Sequence, residues 1–197
     1  MSLFPQSILP KSDAVWYYPS FLEPTVAQHY YTLLAQTLEW KQYPIQLFGK
    51  TLLQPRLIAW YGVPNITYTY AQTTLTAAGW TPTLKALQEQ LLESTQLNFN
   101  SVLANWYRDG QDSMGWHSDN EKELGEQPTI ASISLGAART LHFRTIQKPH
   151  QRTSVLLESG SLLVMKGDSQ TLWQHQLPKS KKVQAGRINL TFRQIFQ

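Results

Sequence analysis

No cysteine occurs in the 197 residues. That excludes a disulfide framework, a thiolate nucleophile and any zinc or iron–sulfur site built on sulfur. A metal bound by this chain must be held by nitrogen and oxygen, and iron(II), manganese and zinc all suit such donors. No apolar run approaches the ~18 residues of a spanning helix. Met1 to Lys11 has neither a basic segment followed by an apolar stretch nor a small-residue cleavage site. The expectation is a soluble monomer without a membrane partner, cytoplasmic, or nuclear in a eukaryote. Repeats and low-complexity tracts are missing too, so one globular domain over residues 1–197 accounts for the length. An acidic surplus is also absent. Seventeen Lys and Arg against thirteen Asp and Glu leave a formal charge of +4, modest support for a polyanionic partner. Lys179, Lys181 and Lys182 lie together, as do Lys148, His150 and Arg152, each group in a polar stretch between apolar segments.

Two segments carry helical periodicity. Val26, Tyr30, Leu33, Leu34 and Leu38 recur at helical spacing over Pro24 to Trp40, with proline suited to the first turn. Leu84, Leu87, Leu91 and Leu92 form one apolar face that starts behind the N-cap candidate Thr81 and ends near Gln96. After Leu97 the pattern changes to short strands: Asn98 to Tyr107, Thr129 to Leu135, Thr140 to Ile146, Ser154 to Leu157, Ser161 to Met165 and Arg187 to Phe196. Turn residues at Asp109-Gly110, Gly136, Ser159-Gly160 and Gly167-Asp168 separate them. So many short strands predict a mainly β sandwich or jelly roll, with the helices buttressing one sheet from outside and the mouth between the sheets left for a ligand. Leu47 to Gln72, aromatic but without helical periodicity, reads as hairpins or loops ahead of that core.

In an extended strand, side chains at i and i+2 share a face, so His117 and Asp119 of Trp116-His117-Ser118-Asp119 can converge on one ion while Ser118 turns away. His175, in Trp173-Gln174-His175, lies where a neighbouring strand could bring it alongside. Two histidines and one carboxylate on one face of an octahedron leave three positions open, as oxygen activation at non-haem iron(II) requires. The C-terminal strand supplies a second pattern. Arg187, Asn189, Thr191 and Arg193 share one face, and Ile188, Leu190 and Phe192 the other. Burying a face with two guanidinium groups is costly without an anion to satisfy them, and a small dicarboxylate would serve both if they lean inward from opposite ends. The competing reading is an edge strand with a solvated polar face. Asn105 and Tyr107 form a third same-face pair, able to hydrogen-bond a ligand's oxygens.

Taken together, these segments resemble the AlkB family of iron(II)- and 2-oxoglutarate-dependent dioxygenases from about Leu47 onward. The carriers are Asn105-Trp106-Tyr107-Arg108-Asp109-Gly110, Trp116 to Glu121, Ile130 to Ala137, Trp173 to Pro178 and Arg187 to Arg193. The resemblance implies a double-stranded β-helix core over residues 81–197 with its preceding helix, and an N-terminal extension over 1–46. It implies iron(II) on His117, Asp119 and His175, and 2-oxoglutarate on Asn105, Tyr107, Arg187, Asn189 and Arg193. Arg187 would pair with the distal carboxylate and Arg193 with the one nearer the metal; dioxygen is the second co-substrate.

Residues 47–80 resemble the nucleotide-recognition lid of family members that repair DNA, through Pro55-Arg56, Trp60-Tyr61-Gly62 and Thr67-Tyr68-Thr69-Tyr70. Phe48-Gly49-Lys50 matches a hairpin whose aromatic residue some members insert into the duplex. A base undergoing chemistry must leave the stack and is held between rings. Tyr68 and Tyr70 would form one wall and His117 the other, with Arg56 and Glu121 lining the pocket. Lys181 and Lys182 fit a loop that grips the backbone, although Ser180 stands where a further basic residue is expected. The implied activity is oxidative demethylation of 1-methyladenine and 3-methylcytosine in single- or double-stranded DNA, releasing formaldehyde and succinate. The rivals are the same iron chemistry on RNA or on a protein side chain, and a non-catalytic nucleic-acid-binding jelly roll.

Overall fold

The structure is a computed structural model that describes residues 4–47, 49–70 and 73–196. In chain order the elements are β1 (Gln6–Ser7), β2 (Val15–Tyr18), α1 (Pro24–Thr37), β3 (Pro44–Leu47), β4 (Lys50–Leu53), β5 (Leu57–Gly62), β6 (Thr67–Tyr70), β7 (Thr73–Thr76), β8 (Ala78–Gly79) and α2 (Pro82–Thr95). Then follow β9 (Ser101–Tyr107), β10 (Met114–His117), β11 (Ile130–Gly136), β12 (Arg139–Thr145), β13 (Arg152–Leu157), β14 (Leu162–Met165), β15 (Trp173–Leu177) and β16 (Arg187–Arg193). Eight strands form a major sheet in the order β1-β2-β14-β11-β16-β9-β5-β8, and four form a minor sheet, β10-β15-β12-β13. The two sheets face each other as a double-stranded β-helix, the expected jelly roll. Two separate hairpins, β3-β4 and β6-β7, precede the core. Among the described residues no helix is long and apolar enough to cross a membrane.

The period-2 pattern of the central strands explains the layering. On β16, Ile188, Leu190 and Phe192 point outward and join Ala131, Ile133 and Leu135 of β11 in a core closed by Ala27 and Leu34 of α1 and by Leu84, Leu87 and Leu91 of α2. The other face of the major sheet turns toward the minor sheet. There Leu141, Phe143, Val155, Leu157, Trp173 and Leu177 meet Leu163 and Met165 in a second apolar cluster. Every residue of β16 is buried, so the edge-strand reading fails: β16 lies between β11 and β9, paired along its whole length to both. Its polar face looks into the space between the sheets.

Three elements differ from expectation. The first helix stops at Leu38, whose ψ of 145° is extended, rather than at Trp40. Trp40 folds back so that its indole N–H donates at 3.2 Å to the Leu34 carbonyl, which also accepts the Leu38 backbone N–H, and its ring packs 5.4 Å from Trp106. Within the span read as hairpins or loops, Leu57–Gly62 is a strand of the major sheet, paired with β9 from Leu57↔Trp106 to Gly62↔Ser101. It is buried on both faces, so it shows no alternation to betray it. Val15–Tyr18, unassigned from the sequence, extends the same sheet beyond β14.

Helix α1 seats on glycine. Gly136 has φ +83°, and a Cβ there would lie 2.6 Å from the Gly186 carbonyl oxygen and 2.7 Å from the Tyr31 ring. Gly136→Ala therefore combines a left-handed backbone with overpacking. The expected cost is about 2 kcal/mol or more, which in a domain of this size lowers the thermal midpoint by roughly 4–8 °C. Thermal unfolding followed by circular dichroism checks it; an unchanged midpoint would mean that Tyr31 does not rest on this turn.

Candidate active site

Strand pairing brings the two histidines together. His117, the last residue of β10, sits directly opposite His175 of β15, past a register shift that begins at Met114. The ring centroids are 4.1 Å apart. Asp119 is not on the strand, contrary to the i, i+2 argument, because β10 ends two residues earlier. It still converges: its Oδ1 lies 3.7 Å from His117 Nε2, and one donor atom from each of His117, Asp119 and His175 falls within 4.8 Å of the others. His117 Nδ1 lies 2.9 Å from the Gly115 carbonyl oxygen. That bond forms only if Nδ1 carries the proton, which leaves Nε2 as the lone-pair donor toward Asp119 and His175.

The electrostatics suit a cation. Burial pushes His175 down to about 3, helped by His117 and Arg193 and opposed by Asp119. His117 is also lowered, chiefly by burial. Both imidazoles are thus neutral ligands near pH 7. Burial works to raise the Asp119 carboxyl, but Arg193, His175 and His117 outweigh it and hold it well below the usual carboxylate range. Two neutral imidazoles and one ionised carboxylate fit a first-row divalent ion.

An anion is called for nearby. A cavity of about 60 Å³ between the sheets is lined by His117, Asp119, His175, Asn105, Arg187 and Arg193, among others, several times the roughly 10–15 Å³ that one water requires. Arg193 Nη2 donates to Asp119 Oδ2 at 2.8 Å. Arg187, 2 % exposed, meets only neutral acceptors among its resolved bonds: its Nη2 donates to Ser134 Oγ at 2.8 Å and to Asn189 Oδ1 at 2.7 Å. Its Nε has no hydrogen-bond partner among the described residues. Burial pushes Arg187 down to about 10, so it remains charged at neutral pH. A buried guanidinium that faces a cavity without a carboxylate is the place for a ligand carboxylate. The residues present therefore fit both an iron(II) ion and a dicarboxylate.

Of the remaining expected residues, Asn105, Tyr107 and Asn189 belong to the lining of this cavity, and Arg56, Glu121, Lys181 and Lys182 do not. Asn105 and Tyr107 line it from β9, and the Arg187 guanidinium stands 5.5 Å from the Tyr107 ring centre. Arg56 is buried just before β5, and its Nε donates to Asn105 Oδ1 at 2.8 Å, an orientation that turns the Asn105 amide N–H groups away from it. Asn189 accepts from Ser132 Oγ at 2.8 Å and donates to Thr191 Oγ1 at 2.7 Å. Thr191 lies on the expected polar face, whereas Ser132 and Ser134 carry no signal in the sequence beyond their position on β11, the strand that flanks that face. Lys181 and Lys182 are exposed, on a loop tied to the turn after β9 by Gly110 N–H to the Val183 carbonyl and Ser180 N–H to the Gly110 carbonyl. Glu121 follows Asp119 and is half-buried. Phe48 lies outside the described residues, as do the side chains of Tyr68 and Tyr70, although the β6 backbone that carries them pairs with β7.

Comparison with known proteins agrees with this geometry. Residues 14–193 match the family described as the 2OG-Fe(II) oxygenase superfamily. The chain is 40% identical over 188 residues to the rat protein named alpha-ketoglutarate-dependent dioxygenase alkB homolog 3, covering 91% of this chain and 63% of the relative. It is 42% identical over 158 residues to mouse DNA oxidative demethylase ALKBH2, covering 77% and 66%. The chain thus spans a little under two thirds of the length of these relatives. Among solved structures, that of OsALKBH1 superposes with a TM-score of 0.68 at 17% identity, over 95% of this chain and 99% of that one, a likeness of fold.

The Arg193–Asp119 pair has a pH signature. With Arg193 present the depressed carboxyl stabilises the fold above the unfolded-state value of about 4, and that contribution is lost as pH falls through and below it. Arg193→Met strands a buried carboxylate. With chelator present, the variant should be less stable by about 3–5 kcal/mol at pH 7, and the gap should narrow as the pH falls through the carboxylate range. Urea unfolding at several pH values measures this; a gap independent of pH would mean that the pair is not what the substitution removes.

Proposed function

Because the chain belongs to the 2OG-Fe(II) oxygenase superfamily, we propose that it is an iron(II)- and 2-oxoglutarate-dependent dioxygenase that demethylates N-alkylated bases in DNA, with 1-methyladenine and 3-methylcytosine as substrates. The observation that carries the reading is Arg187, a buried guanidinium without a carboxylate partner among its resolved bonds, sharing one cavity with the His117, Asp119 and His175 donors. The names of the relatives, a dioxygenase and a DNA oxidative demethylase, supply the substrate class.

Iron(II) bound with 2-oxoglutarate and dioxygen supplies an oxidation in which the co-substrate becomes succinate and carbon dioxide while one oxygen atom enters a C–H bond of the N-methyl group. The hydroxymethyl base then loses formaldehyde. His117, Asp119 and His175 would hold the ion. Arg187 binds the distal carboxylate of the co-substrate, oriented by Ser134 and Asn189. Asn105 and Tyr107 would contribute hydrogen bonds from β9, and Arg193, which already donates to Asp119, would also pair with the other carboxylate of the co-substrate. Burial of this face excludes water, which strengthens each of these interactions.

Substrate recognition falls to the residues before the core and to the basic loop. The methylated bases are cationic at neutral pH, so the Glu121 carboxylate and the electron-rich faces of Tyr68 and Tyr70 suit them. Arg56 adjoins the same pocket through Asn105. Phe48 serves as the wedge that takes the flipped base's place, and Lys181 and Lys182 meet backbone phosphates.

The test incubates the iron-loaded chain and 2-oxoglutarate with DNA carrying 1-methyladenine or 3-methylcytosine, with methylated RNA, and with unmodified DNA, and measures formaldehyde and repaired base. Turnover is expected on methylated DNA alone or with RNA; none on either nucleic acid rejects the reading. His117→Ala should abolish turnover and retain DNA binding, whereas a non-catalytic binder would be indifferent to it. Replacing Lys181 and Lys182 together by Ala should weaken DNA binding uniformly across sequences. It should also flatten the salt dependence of log K by roughly 0.9 for each phosphate that is no longer neutralised on duplex, or about 0.7 on single strands. An unchanged slope would remove these lysines from the interface.

A further inference from the structure

The chain leaves its β ladder at the point where the third metal-binding donor must be placed. His117 and His175 are fixed by strand pairing, but β10 ends at His117, and in a continued register Ser118 and Asp119 would have faced Gln174 and Trp173. Side chains replace the missing ladder. Ser118 Oγ donates to the Trp173 carbonyl at 2.9 Å, and the Asp119 backbone N–H donates to Gln170 Oε1 at 2.9 Å.

We propose that Gln170 is a positioning residue that sets the Asp119 carboxylate relative to the imidazole pair, with Ser118 in support. Gln170 is 1 % exposed and closes the 3-10 turn Gly167–Gln170, five residues before His175. A bond from this turn to Asp119 therefore ties one metal-binding donor to the approach of another. The amide's orientation is fixed by chemistry, since an N–H faces it and only the oxygen can accept. Its Nε2 end lies 3.2 Å from Ser169 Oγ and 3.5 Å from the Met165 sulfur. Asp119 is then held at both ends, by Gln170 on its backbone and by Arg193 on Oδ2, which leaves Oδ1 aimed at the His117 side. Without the acceptor, a buried N–H is stranded and the loop is free to rotate the carboxylate out of line. Partners that orient a ligand in this way typically govern metal affinity by 10–100-fold.

The inference rests on the proposed metal site and is tested by metal binding rather than turnover. Co(II) is titrated anaerobically into the parent chain, Gln170→Met, Gln170→Glu and Ser118→Ala, and both the affinity and the visible d–d spectrum are read. Methionine keeps the volume of glutamine and removes the acceptor, whereas glutamate keeps an acceptor. The expected result is a 10–100-fold loss for Gln170→Met with an altered spectrum, rescue by Gln170→Glu, and a smaller loss for Ser118→Ala. A folded Gln170→Met that binds like the parent overturns the inference, as does a Gln170→Glu that loses as much. Should Gln170→Met not fold, Ser118→Ala decides: weakened binding supports the inference, and parental binding overturns it. No binding by the parent chain overturns the proposed metal site itself.

Discussion

The bond between Arg193 and Asp119, 2.8 Å long with both partners buried, joins the last residue of the central strand of one sheet to a loop at the margin of the other. A buried ion pair adds little to stability relative to apolar residues of the same shape, but neither charge tolerates losing its partner. Its effect is therefore geometric. At this end of the sandwich the pair ties one sheet to the margin of the other, with Oδ2 committed to the guanidinium and Oδ1 left beside His117. The apolar cluster of Phe143, Leu157, Met165 and Leu177 packs between the sheets beside the cavity.

At the other end of β16 the same strand carries Arg187 with no such partner among its resolved bonds. One strand thus presents one neutralised and one unneutralised guanidinium, six residues apart in sequence. That asymmetry gives the cavity its polarity: a corner at His117, Asp119 and His175 whose donors suit a cation, and a wall at Arg187 whose charge suits an anion. The outward face of β16 makes this sustainable. Ile188, Leu190 and Phe192 bury fully against the helices, so strict alternation with Arg187, Asn189, Thr191 and Arg193 cannot slip by one residue without exchanging the entire apolar set for the polar one.

What was legible in the sequence follows from the same alternation. The β16 pattern and both helices could be read because their periodicity is local. The strand Leu57–Gly62 was not, since burial on both faces erases the period-2 signal. Nor could the end of β10 before Asp119 be read, because a register shift depends on what the partner strand does some sixty residues away. Ser134 and Gln170 carry no signature of their own; they matter only because folding places a hydroxyl beside Arg187 and an amide beside the Asp119 N–H. In sequence nothing distinguishes Arg56 as a neighbour of Asn105. The arginine face is thus written in strand periodicity, and the contacts that support it in neighbours that only the assembled fold creates.

The charge balance of the cavity adds a constraint on how it fills. Among the ionisable groups that line it, the imidazoles are neutral, one carboxylate offsets one guanidinium, and the Arg187 charge remains. A divalent cation entering alone would triple that positive charge in a poorly solvated space, and a dianionic co-substrate alone would invert its sign. The two together restore it. Coulombic interaction at these separations is strong when water is excluded, so each ligand lowers the electrostatic penalty of the other, and by linkage the coupling is reciprocal. A cavity with this charge balance favours the two together over either alone. Arg187 sits on a different sheet from the two histidines, so a carboxylate ligand that reaches both guanidinium and metal also bridges the two layers that Arg193 and Asp119 already join.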